Sequence, residues 1–129
     1  MQGSATDWHW QQRVERATRA IDALIAELPG DVALFAGDLV LELEDVPSAR
    51  VRKLGFKGTL LGLFSGRPLR APLGNDRSDP TVTLYLDNLW HYAGQDWERF
   101  EEEVRVTWMH ELGHYIGLDE QDLRHRNLG

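Results

Sequence analysis

The chain has 129 residues, no cysteine and a net charge of −7. The length suits one domain, residues 1–129, with room for a hydrophobic core, and the acid gathered at Glu98, Glu101, Glu102 and Glu103 argues against a nucleic-acid groove. Without thiols there is neither a disulfide framework nor a thiolate metal site, so any metal must be held by nitrogen and oxygen. The opening MQGSATDWHWQQR has no apolar leader, and no run approaches the ~20 apolar residues of a membrane span. A cytoplasmic protein with no membrane and no nucleic-acid partner is therefore expected.

The first predicted element is a helix from Asp7 to Leu28, with Thr6 as its N-cap. Trp10, Val14, Ala17, Ile21, Leu24, Ile25 and Leu28 recur every three or four residues, as one buried face requires. Pro29 and Gly30 end it, and Trp8 and Trp10 read as packing aromatics. From Leu39 to Glu44 the pattern alternates, with leucines on one side and Val40, Glu42 and Glu44 on the other, which predicts a half-buried strand. Pro47 breaks it, and Ser48 caps a short helical turn through Leu54. The basic cluster on that turn, Arg50, Arg52 and Lys53, reads as a solvated face. A second strand is expected within Gly58–Gly66, then a loop from Arg67 to Pro80 rich in Pro, Gly, Asn and Asp. A third strand runs from Thr81 to Leu86.

Asp87 and Asn88 start a short helix, and Asp96 caps a longer one reaching Ile116. Phe100, Val104, Thr107, Trp108 and Glu111 share a broad face of that helix, which points it inward. Gly117 stands at the C′ position, where a left-handed backbone suits glycine, and Asp119 is placed to cap a last short helix ending near Leu128. The sum is an α+β fold: a small, mainly antiparallel sheet packed with helices.

The segment HELGHYIGLDE carries the chemistry. His110 and His114 lie one turn apart on one helix face, so two imidazoles can hold one divalent cation, about one ion per chain, while Glu111 stands beside its water as general base. Glu111 accepts the water's proton and returns it to the leaving amine. A catalytic site needs a third protein ligand. Glu120, ten residues after His110 and beyond the reversal at Gly117, is the candidate, with Asp119 as its competitor. Nitrogen and oxygen donors also suit other divalent ions than zinc. Among the remaining residues, His91 is weighed as a further ligand or oxyanion stabiliser against a packed or surface role. Tyr115, turned ~100° from His114, is read as core, as are Trp90, Trp97 and Trp108. His9 and His125 are read as solvent-facing.

This pattern, HExxHxxGxx followed by an acid, resembles the zincin metallopeptidases, and more narrowly the small bacterial mini-zincins. Their motif, HExGHxxGxxD with an acidic tail ending in Leu-Gly, is similar to HELGHYIGLDEQDLRHRNLG here, with glutamate at 120 in place of aspartate. TLLGLFSGRPL and TVTLYLDN resemble the family's strands before the motif helix. As in that family, no methionine turn follows, since Met109 is the last methionine. The resemblance implies a zinc metallopeptidase with His110, His114 and the acid at 120 as ligands and Glu111 as base, acting on a peptide or protein substrate. It also implies an antiparallel edge strand that binds the substrate backbone, for which Thr81–Leu86 is the candidate. The rival readings are a catalytically silent metal-binding regulator and an amidase acting on a non-peptide substrate.

Overall fold

The computed structural model describes residues 5–71 and 78–118. The element order is α1 (Ala5–Glu27), α2 (Gly30–Gly37), β1 (Val40–Glu44), α3 (Ala49–Lys53), β2 (Gly62–Ser65), β3 (Thr81–Tyr85), α4 (Leu86–Tyr92) and α5 (Trp97–Tyr115). The fold is α+β, as expected. Thr6 lies inside the first turn of α1 rather than before it, because the helix begins at Ala5. The short helix α2, GDVALFAG, has no counterpart in the sequence reading, which stopped the chain's helical run at Pro29.

The sheet order is β1-β3-β2. β3 pairs with β1 in parallel and with β2 antiparallel, so the sheet is mixed rather than mainly antiparallel. This corrects the edge-strand expectation: Thr81–Tyr85 is the central strand, and β2 is an edge. The reason is visible in burial. Val82, Thr83, Leu84 and Tyr85 are all buried, so β3 is covered on both faces and has a strand on each side. Alternation in the sequence identified the leucine face but said nothing about the other.

α5 sits between the sheet and α1, in contact with both. Val82 and Leu84 from β3 join Phe100, Val104, Trp108 and Leu112 from α5 and Ala17, Ala20 and Ile21 from α1 in one core. The far face of the sheet carries the exposed Val40, Glu42 and Glu44 of β1. Burial pushes the Tyr85 phenol up, and the charges of Glu44 and Glu42 push it the same way. The caps fall where the sequence puts them: Ser48 accepts from Val51 N–H at 3.3 Å, and Asp96 from Arg99 N–H at 2.9 Å. No described helix is long and apolar enough to cross a membrane.

Because Leu84 is fully buried at the centre of this core, Leu84→Ala should cost about 2–5 kcal/mol. Urea denaturation measures it, and a loss below about 1 kcal/mol would mean that the central strand is not the packing hub described.

Candidate active site

α5 brings the motif together. Its buried stripe runs through Phe100, Val104, Trp108 and Leu112, which fixes the rotation of the helix about its axis. Glu111 is buried, 8% exposed, while His110 and His114 are half-buried at the margin of the same face. The two imidazole centroids lie 4.8 Å apart at 77°. Ligand atoms of His110, Glu111 and His114 all lie within 4.8 Å of one another. Two imidazole nitrogens and a carboxylate oxygen this close form a donor set suited to a divalent cation. Among the described residues it is the one cluster of three or more such side chains.

A buried carboxylate needs a partner. The Phe64 backbone N–H donates to Glu111 Oε1 at 2.8 Å, so the edge strand itself holds the acid. The register explains why this amide is available. Tyr85 N–H donates to Leu61 C=O at 2.9 Å, so Leu61, Leu63 and Ser65 turn their backbone groups toward β3. Gly62 and Phe64 turn theirs outward, over α5.

The approach of β2 to α5 requires glycine at 62. A Cβ there would stand 2.6 Å from Thr107 Cγ2, 3.2 Å from Leu84 Cδ2 and 3.3 Å from the Thr83 carbonyl oxygen. Thr107 is one turn before Glu111 on the same face of α5. The lack of a side chain at 62 thus brings the strand low enough for its next outward N–H to reach Glu111. Local sequence pattern places Gly62 and Phe64 within a strand but carries no signal of either role.

α5 ends in a Schellman turn. Gly117 N–H donates to His114 C=O at 3.1 Å and Leu118 N–H to Gly113 C=O at 2.9 Å, with Gly117 at φ +89°, as C′ glycine predicts. Leu69 N–H donates to Tyr115 C=O at 3.0 Å, tying the segment after β2 to the same helix end. Glu120, Asp119, the short helix expected to end near Leu128 and His125 all lie outside the described residues.

The other candidates sit elsewhere. Tyr115 is core, as expected: its hydroxyl donates to Asp38 Oδ2 at 3.0 Å, and its ring packs on Phe64 at 5.7 Å. Burial raises its phenol, and the bond to Asp38 and that carboxylate's charge raise it further. His91 is exposed on α4, with Nδ1 2.9 Å from the Asp87 carbonyl oxygen. It lines a separate cavity of ≈ 780 Å³ with Trp10, Arg13 and Asp87. That cavity is larger than the groove at the histidines, but there Asp87 is paired with Arg13 at 2.8 Å and the described residues form no metal-ligand cluster. His9 is not solvent-facing. It is half-buried and stacked on Trp97 at 5.7 Å, with Trp90 edge-on at 5.5 Å; the tryptophans flanking it in space come from α4 and α5, which local spacing does not reveal.

The histidines and Glu111 open into a groove of ≈ 450 Å³ lined also by Phe56, Leu60, Gly62, Leu63 and Phe64. Comparison with known families decides what such a groove belongs to, for residues 36–129, most of the chain, match the zincin-like metallopeptidases. The chain belongs to that family. A search among curated proteins finds no match. In this zincin-like chain His110, Glu111 and His114 lie on α5, and the strand running beside them is β2.

Gly62→Ala should destabilise the protein by about 1–3 kcal/mol through overpacking against α5. Thr107→Ser removes the nearest methyl, so the two substitutions should couple by about 1 kcal/mol or more in a double-mutant cycle read by urea denaturation. Strict additivity would show that the strand does not rest on Thr107.

Proposed function

We propose that the protein is a zinc-dependent peptidase in which His110, His114 and Glu120 hold the metal and Glu111 is the general base. The observation that carries this reading is the buried Glu111 carboxylate, anchored by Phe64 N–H between two imidazoles in an open groove. When bound, zinc supplies a Lewis acid that acidifies water and polarises a carbonyl.

The chain's own residues do the rest. Glu111 takes a proton from the attacking water and returns it to the nitrogen of the leaving amine, so that C–N cleavage yields a neutral amine. The charge-assisted bond from Phe64 N–H fixes one oxygen of that carboxylate, which holds the proton acceptor in one orientation through both transfers. With Phe64 N–H held by Glu111, the outward backbone groups of Gly62 and the Phe64 carbonyl are suited to pair with an extended peptide as an added strand. This assigns the substrate-binding edge to β2, in place of Thr81–Leu86. Glu120 completes the donor set from beyond Gly117, and Asp119 is its competitor.

Zinc-loaded protein should hold about one ion per chain, measured by elemental analysis after dialysis. His110→Ala and His114→Ala should each lose it, Glu120→Ala should weaken it more than Asp119→Ala, and Glu111→Gln should keep it. In a peptide-library cleavage assay read by mass spectrometry, Glu111→Gln should be slower than wild type by about 10²-fold or more. Metal retained by both histidine variants would remove the site assignment, and cleavage undiminished in Glu111→Gln would remove the base.

A further inference from the structure

One wall of the groove is the edge of β2. The other comes from the loop between α3 and β2, which contributes Phe56 and Leu60. This loop is anchored rather than loose: Asn88 on α4 donates from Nδ2 to the carbonyls of Gly58 at 2.7 Å and Leu60 at 2.9 Å. Both amide hydrogens are spent on holding the wall in place.

The surface of that wall is unusual for this chain. Leu54 is 73% exposed and Phe56 39% exposed, in a stretch where residues 52–59 are all exposed. Large apolar side chains in open solvent mark a contact surface when they gather beside a groove. The same short segment of chain carries Arg50, Arg52, Lys53 and Lys57, all exposed. None of these four is paired with a carboxylate among the described residues. Arg52 Cδ lies 3.8 Å from where a Cβ would stand on Gly58, so its stem covers the anchored loop itself. In a chain of net charge −7, four exposed cations thus lie on α3 and the loop that supplies this wall. A purely solvated face would explain the charges but not the leucine and phenylalanine among them.

We infer that this wall selects the substrate: an extended peptide with a bulky apolar residue seated against Phe56, Leu60 and Leu63 and acidic residues facing Arg52 and Lys57. The inference rests on the peptidase reading for its use, but the binding preference is measurable without turnover. Charges at a groove rim act chiefly on partner choice and encounter, and each exposed pair contributes little by itself, so the effect is a preference of a few-fold that salt weakens.

The test uses the zinc-loaded full chain and three fluorescein-labelled peptides. The parent has two adjacent aromatic residues flanked on each side by two glutamates; the second has glutamine for every glutamate; the third has alanine for the aromatics. Fluorescence anisotropy should give the parent a Kd about fivefold below that of either other peptide at low salt, with the gap to the glutamine peptide closing as salt rises. Arg52→Glu combined with Lys57→Glu should abolish or invert the preference for the acidic peptide, and Phe56→Ala should erase the preference for aromatics. All three positions are exposed, so circular dichroism should be unchanged. Equal affinity for the three peptides, or an acidic preference untouched by charge reversal, overturns the inference. Cleavage is scored separately: preference without cleavage keeps this assignment and removes the peptidase reading, while cleavage without preference does the reverse.

Discussion

The candidate site depends on one close approach, that of β2 to α5. A strand packed on a helix normally stands off by the length of the side chains between them. At Gly62 there is none, and the methyl of Thr107 occupies the space a Cβ would need. The backbone of β2 therefore lies low enough for Phe64 N–H to reach the Glu111 carboxylate at 2.8 Å. Sheet edge, buried Glu111 carboxylate and histidine pair meet there because one residue is absent in the side-chain sense. The sheet order contributes equally. With β3 in the centre, β2 is paired on one side among the described residues, and the pleat puts the backbone groups of Gly62 and Phe64 on its other side.

The helix on the other side of that contact is fixed in rotation, start and end. Its core stripe of Phe100, Val104, Trp108 and Leu112 leaves no freedom about the axis. Asp96 sets where it begins, and the Schellman turn at Gly117 sets where it ends, three residues after His114. Tyr115 ties that end to Asp38 and, through its carbonyl, to Leu69. The consequence is a division of labour along one helical turn. Glu111 faces inward, where its charge needs and has a backbone donor, and the two imidazoles stand at the margin, where they face the groove.

Much of this was legible in the sequence, and what was not has a physical cause. The histidines, Glu111, the Asp96 cap and Gly117 are related by local spacing on one helix, and local spacing is what a sequence displays. Membership of the zincin-like family was legible for the same reason, from HELGHYIGLDE. The edge strand was not. The segment from Thr81 to Leu86 alternates cleanly at Val82, Leu84 and Leu86, but alternation reports which residues share a face, not which strands lie on either side. That information is carried by Thr83 and Tyr85, whose burial on the opposite face depends on neighbours far away in the chain. Phe64's contribution was invisible in another way, since it comes from a backbone amide that any residue except proline would supply. α2 was missed because its eight residues are apolar nearly all round and carry no amphipathic period. His9 was misplaced because the tryptophan rings around it arrive from α4 and α5.

The second wall of the groove is supplied by a loop rather than by a helix or strand. The loop between α3 and β2 has no hydrogen-bonded ladder of its own, and its stiffness comes from α4. Asn88 serves because a primary amide offers two hydrogens and the loop presents two carbonyls, at Gly58 and Leu60, within reach of both. A carboxylate there would offer none. α4 is in turn held at its start: Asp87 N–H donates to the Asp45 carbonyl at 3.0 Å, and the Asp87 side chain is paired with Arg13 of α1 at 2.8 Å. This second wall of the groove is thus fastened to the first helix through two polar links and one short helix. Residues before 36, which the family match does not cover, are therefore not a mere appendage. Through Arg13 they brace the helix that fastens the groove's second wall, and the precision of that wall depends on α1 being docked.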